Sequence, residues 1–178
     1  MTTTWLTWPY IHLLINHFPV VLGTAGLVAV ILAMIFRRRG LWLYAMGTLA
    51  AAGVTVYPVR FSGDQADHAL NDPWYIAKGA IDAHDNASLW AMVSLLLVGA
   101  LSAYGLWRAL KRPQEEIPGW IKATLFIGAL FGFSTVARTA YLGGKIIHEA
   151  PILGMPQPPA NLPPGIATAP DSSGGQEH

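Results

Sequence analysis

Long apolar stretches separated by short polar segments dominate the hydropathy pattern of the chain. Four of them, residues 11–36, 41–56, 89–107 and 120–142, carry few charges. A bilayer core of about 30 Å needs about 20 apolar residues per helix, so each stretch reaches or nearly reaches the length of a membrane-spanning helix. The pattern therefore predicts an all-α protein, a four-helix transmembrane bundle within residues 1–150.

Composition supports a membrane protein and excludes several kinds of site. Hydrophobic residues make up 53% and charged residues 12% of the 178 residues, whereas a soluble domain has about 25% charged residues. A formal net charge of +1 offers no field for nucleic acid. Because the chain has no cysteine, disulfides, iron–sulfur clusters and covalently attached c-type haem are excluded. Any cofactor must be held noncovalently.

The charges in the loops predict the orientation of the bundle. Basic residues cluster after the first and third stretches: Arg37, Arg38, Arg39, Arg108, Lys111 and Arg112. The positive-inside rule places these loops in the cytoplasm and both termini outside it. We therefore expect a multi-pass protein of the bacterial inner membrane with periplasmic termini. Residues 151–178 are rich in proline, which predicts an extended periplasmic tail.

The histidines near the helices lie only at the noncytoplasmic ends. In chain order they are His12, His17, His84 and His148. Antiparallel threading of four helices brings these positions to a similar depth. Within the first helix, a spacing of five residues gives about 7.5 Å of rise and about 140° of rotation, so His12 and His17 should face different neighbours.

This pattern favours haem over an ion chelated within one helix. Haem iron takes two axial imidazoles from opposite sides, and helical bundles hold cofactors between facing helices. We expect either one haem b with two of the histidines or two haems with all four. For one haem the sequence favours His17, opposite His84 or His148, because an ionisable residue inside an apolar span is functional by default. Arg60 and Arg138, on the same side, could pair with a haem propionate or with lipid phosphate.

Residues beside the histidines predict a kink in the first helix and hydrogen bonds that orient the imidazoles. Pro19 cannot donate a backbone hydrogen bond to the Ile15 carbonyl, which predicts a kink beside His17. Asn16 and Asp85 could each set the tautomer of the adjacent histidine. Asn16 could equally bond across helices, and Asp85 could cap a helix.

Three short segments carry a resemblance to a known family. They are the segment from His12 to Pro19, the positions Gly63, Ala66 and His84, and the segment from Leu142 to His148. Together they resemble a widespread family of four-helix bacterial membrane proteins, a domain of unknown function, over residues 10–150. That family typically has His-Pro-x-x-x-His-Phe-Pro in its first helix, where this chain has Leu13 in place of the first proline. Many members also carry the last histidine two residues later. The resemblance implies a b-type cytochrome or an accessory subunit of a redox assembly.

The sequence thus predicts a membrane-embedded b-type cytochrome subunit that transfers electrons near the periplasmic face. Its expected partners are other subunits of a redox complex, a quinone or periplasmic carrier, and the lipid bilayer. No nucleophile or phosphate-loop motif predicts an enzyme acting alone. Two alternatives remain open. One is a haem-free accessory subunit, and the other is a nonhaem metal site built from His84, His148, Asp85 and Glu149.

Overall fold

The computed structural model describes residues 7–70 and 78–148, which form five helices. In chain order these are α1 Trp8–Ile15, α2 His17–Phe36, α3 Arg39–Leu70, α4 Lys78–Lys111 and α5 Gly119–His148. With α1 and α2 taken together, four helical segments are long and apolar enough to cross a membrane. The prediction of an all-α protein with four membrane-spanning segments is confirmed. The predicted tail, residues 151–178, lies outside the described residues.

The first membrane-spanning segment is broken at Asn16, between α1 and α2. Pro19 lacks a backbone N–H, and its ring opposes the carbonyl four residues earlier, that of Ile15, where α1 ends. The predicted kink beside His17 falls at this interruption, where Asn16 itself keeps helical backbone angles. The two helices have different neighbours, since α1 packs mainly against α3 whereas α2 packs against α3 and α5.

Helices α3 and α4 extend well beyond the apolar stretches that reveal them. The second apolar stretch, residues 41–56, belongs to a helix of 32 residues, and the third, residues 89–107, belongs to a helix of 34 residues. Such lengths, about 50 Å at 1.5 Å per residue, exceed a bilayer core of about 30 Å. The polar ends of these helices carry no hydropathy signal, although they contain several of the functional candidates.

The helices pack in a ring, with α3 against α2 and α4, and α5 against α4 and α2. The largest fully buried apolar side chains form the centre of the core: Met46, Leu49, Leu95, Ile121, Leu125 and Val30. Small residues allow the closest approaches. A Cβ atom on Gly53 would lie 3.0 Å from the Gly99 Cα, and a Cβ on Gly99 would lie 2.9 Å from the Gly53 Cα. The backbones of α3 and α4 are therefore in direct contact there.

Arg39 ties the two basic loops together at one end of the bundle. Its guanidinium donates hydrogen bonds to the carbonyls of Ala109 at 2.7 Å and Glu115 at 2.6 Å. These acceptors lie at and beyond the last turn of α4, where helix carbonyls lack internal partners. We call this the basic end. The opposite end, which contains His12, Arg60 and His84, is called the histidine end.

A substitution that adds one methyl group tests the contact between α3 and α4. Gly99→Ala should destabilise the bundle by about 1–3 kcal/mol, the usual cost of overpacking, because the new Cβ meets backbone that cannot move aside. Thermal unfolding of the detergent-solubilised protein, followed by circular dichroism, measures the effect.

Gly47→Ala is the matched control, since a Cβ at Gly47 in α3 has no other atom within 4 Å. It should keep or raise the unfolding midpoint, because alanine favours a helix over glycine. Equal midpoints for the two variants would contradict direct backbone contact.

Candidate functional site

His12 is held against α3 by its Nδ1 atom. The half-buried ring lies with Nδ1 3.2 Å from the Val59 carbonyl oxygen and 3.0 Å from the Ser62 hydroxyl oxygen. Ser62, only 1% exposed, donates its own hydrogen bond to the Val59 carbonyl at 2.8 Å. A carbonyl can only accept, so Nδ1 of His12 carries the proton and Nε2 keeps a free lone pair.

His84 is held in the same way on another pair of helices. Its Nδ1 donates to the Thr139 carbonyl of α5 at 3.0 Å. The ring is half-buried, and its Nε2 again keeps the lone pair. Two imidazoles from α1 and α4 are therefore fixed in one tautomer by backbone oxygens of α3 and α5.

A glycine follows each acceptor carbonyl by four residues and lies against the imidazole. A Cβ on Gly63 would come within 3.1 Å of Cε1 of His12, and a Cβ on Gly143 within 2.9 Å of Cε1 of His84. Residues i and i+4 share a helix face, and the side chain of the later residue points back over the earlier turn. Glycine at i+4 thus uncovers the carbonyl of residue i and leaves space for the ring.

The two histidines belong to one polar cluster at the histidine end. His12 contacts the Val59 carbonyl and the Ser62 hydroxyl on α3, and these two residues flank Arg60 in the sequence. Arg60 in turn pairs with Asp85, the residue that follows His84. The packing of α1, α3, α4 and α5 thus places His12 and His84, which are far apart in sequence, at the same end of the bundle. The predicted convergence of all four histidines on a cofactor stays a prediction.

Arg60 joins α3 to α4 beside the imidazoles. Its guanidinium forms ion pairs with Asp64, at 3.2 Å, and with Asp85. It also donates to the Asp85 carbonyl at 3.0 Å and to the Ser88 hydroxyl. Since two carboxylates already neutralise this guanidinium, Arg60 acts as a fixed link between the two helices. Its predicted pairing with a haem propionate stays a prediction.

For the other candidates no contact with this pair is described. His17, the first residue of α2, is exposed, and its side chain forms no hydrogen bond within the described ranges. Arg138 is exposed on α5, in a groove between α4 and α5. His148 ends the helix α5, but its side chain and Glu149 lie outside the described part of the chain. The sequence preference for His17 over His12 as a ligand therefore stays a prediction.

The neighbours predicted to orient the imidazoles have different contacts. Asp85 pairs with Arg60, and the Thr139 carbonyl bonds His84 instead. The Oδ1 atom of Asn16 is buried without a hydrogen-bond partner at the break between α1 and α2. Sequence reasoning missed the carbonyls of Val59 and Thr139. Every residue has a backbone carbonyl, so the sequence does not indicate which carbonyl accepts a hydrogen bond from a histidine.

The donor set limits the chemistry of the site. Within residues 7–70 and 78–148, no group of three or more His, Asp or Glu side chains is placed to hold a metal ion. The histidine end presents two imidazole nitrogens, Nε2 of His12 and Nε2 of His84. Comparisons of the chain with known protein families, with characterised proteins and with solved structures found no match.

The glycine–imidazole contacts can be tested without any cofactor. Gly143→Ala should push the ring of His84 off the Thr139 carbonyl, and Gly63→Ala should do the same to His12. The carbethoxylation rate of each displaced histidine by diethyl pyrocarbonate, read by mass spectrometry, should rise about fivefold, the factor for losing a hydrogen bond worth about 1 kcal/mol.

Two internal references accompany this measurement. Gly79→Ala, at a position with no atom within 4 Å of the added Cβ, should leave both rates unchanged. His17, already exposed, should react at the same rate in every variant. Unchanged rates for His84 in Gly143→Ala would show that the ring does not depend on the glycine.

Proposed function

We propose that this protein is a b-type cytochrome subunit that binds one haem through His12 and His84. The observation that carries the proposal is the repeated arrangement of the two imidazoles, each with Nδ1–H donated to a helix carbonyl and Nε2 left free. Metal-ligating histidines commonly have this arrangement, in which a second hydrogen bond fixes the tautomer and raises the basicity of the ligating nitrogen.

Two imidazole donors are enough to hold a haem. A zinc or copper site needs three or four protein ligands, and the nonhaem alternative draws two of its ligands from His148 and Glu149, whose side chains lie outside the described residues. A haem brings four nitrogen ligands of its own and needs only two axial imidazoles from opposite sides. The absence of cysteine limits such a haem to noncovalent binding.

His12 and His84 also lie on helices that can position them as haem ligands. They project from α1 and α4, and each rests on another helix, α3 or α5. The ion pairs of Arg60 with Asp64 and Asp85 hold α3 to α4 beside them. Both rings are therefore positioned by hydrogen bonds on rigid helices, which preorganises a ligand pair better than loops would.

Bound haem would supply one-electron redox chemistry, while the chain supplies the ligands and their orientation. The basic end carries Arg39, Arg108 and Arg112, and the positive-inside rule assigns such an end to the cytoplasm. The histidine end and both termini would then lie on the periplasmic side of a bacterial inner membrane. Electron exchange there implies partners, namely a quinone or periplasmic carrier and other subunits of a redox complex.

A difference spectrum of the full chain tests this proposal. Reduced-minus-oxidised spectra of the purified protein should contain the Soret and alpha bands of a six-coordinate b-type haem. His12→Ala and His84→Ala should each abolish these bands or convert them to a five-coordinate spectrum, since each removes one axial ligand.

His17→Ala is the matched control, because it removes a nearby exposed histidine. It should keep the wild-type spectrum. A haem signal that survives in both His12→Ala and His84→Ala would exclude this ligand pair. A protein that binds no haem and contains no metal, yet keeps its fold, would support the accessory-subunit alternative instead.

A further inference from the structure

A groove of about 330 Å³ opens between α4 and α5, and neither imidazole of the pair lines it. Its lining residues are Ala87, Trp90, Phe131, Thr135 and Arg138. The side chains of Trp90 and Phe131 are 63% and 56% exposed, so two large aromatic groups border an open space. Ala87 is buried and small, which leaves room between them.

Arg138 is the cation of this groove, and it has no partner in the described part of the chain. The other arginines with described contacts bond to carboxylates or to helix carbonyls; they are Arg39, Arg60, Arg108 and Arg112. The described hydrogen bonds of the Thr135 hydroxyl go to Ser94 and to the Gly132 carbonyl, each at 2.8 Å, and not to Arg138. An anion from outside the chain would therefore stabilise the Arg138 guanidinium at the membrane.

The depth of Arg138 matches that of a lipid headgroup. Trp120 stands near the start of α5 at the basic end, where tryptophans mark the membrane interface. Arg138 follows Trp120 by about 27 Å along the helix axis. A bilayer core is about 30 Å thick, so Arg138 lies just inside the opposite interface, within reach of phosphate by a short extension of its side chain.

The groove continues from this charge into an apolar channel. Phe131 lies about two turns below Arg138 on α5, toward the basic end, at about 10 Å along the axis. A phosphate bonded to Arg138 would thus have the aromatic surfaces of Trp90 and Phe131 directly beneath it. The cation therefore lies where a lipid headgroup would lie, and the aromatic surface lies where the acyl chain would follow.

We propose that this groove is a binding site for an anionic phospholipid. Arg138 binds the phosphodiester through the forked donors that suit phosphate oxygens, and one acyl chain lies against Trp90 and Phe131. The site is separate from the proposed haem function and does not depend on it. A bound lipid there would fasten α4 to α5 at the level of Thr135.

Native mass spectrometry of the full chain tests this site. During titration with phosphatidylglycerol in detergent, the wild-type protein should hold one lipid more tightly than the rest. Arg138→Gln should weaken this first adduct about tenfold, the factor expected for loss of one charge-assisted hydrogen bond. Arg138→Lys should keep part of the affinity, because it keeps the charge without the fork.

Arg38→Gln is the matched control, since it removes an exposed arginine at the basic end. It should leave the first adduct intact. Phosphatidylcholine, which carries no net charge, should bind wild type and Arg138→Gln more nearly alike. His84→Ala should also retain the adduct, so a failure of the haem proposal would not remove this one.

Two results would overturn the proposal. One is an unchanged first adduct in Arg138→Gln, with circular dichroism confirming that the variant is folded. The other is equal weakening by Arg138→Gln and Arg38→Gln, which would indicate general attraction of anionic lipid to any arginine.

Discussion

The hydrogen bond from an imidazole Nδ1–H to a helix carbonyl is the interaction on which the candidate site depends. It occurs for His12 on Val59 and for His84 on Thr139. A helix carbonyl is normally covered by the side chain four residues later, and in both cases that residue is glycine. The bond therefore fixes three things at once: the position of the ring, its tautomer, and the nitrogen left available to a ligand.

Packing contacts elsewhere in the bundle fix the relative positions of the helices that form these two hydrogen bonds. Direct backbone contact at Gly53 and Gly99 sets the spacing of α3 and α4 in the middle of the membrane. Arg60 links the same helices near the imidazoles through Asp85. Helix α1 packs against α3, and α4 packs against both α3 and α5. The helices that hold His12 are therefore in direct contact with the helices that hold His84.

Much of this architecture could be predicted from the sequence, because membrane insertion imposes a simple length rule. Apolar stretches revealed the spans, and Pro19 revealed the break before α2. The polar extensions of α3 and α4 left no hydropathy signal. The choice between His12 and His17 depends on which way each side chain points, and one residue changes that direction by about 100°. Gly63 stood out only through the family resemblance, and the acceptor carbonyls not at all.

In the function proposed here, Nε2 of His12 and Nε2 of His84 would ligate the same haem iron. Electron paramagnetic resonance of the oxidised protein, with hyperfine spectroscopy on ¹⁵N-histidine-labelled samples, tests this most directly. The account predicts a low-spin ferric signal coupled to two axial imidazole nitrogens, one of which disappears in His12→Ala. Two axial couplings that persist without His12, or a folded protein with no ferric signal after haem is supplied, would contradict it.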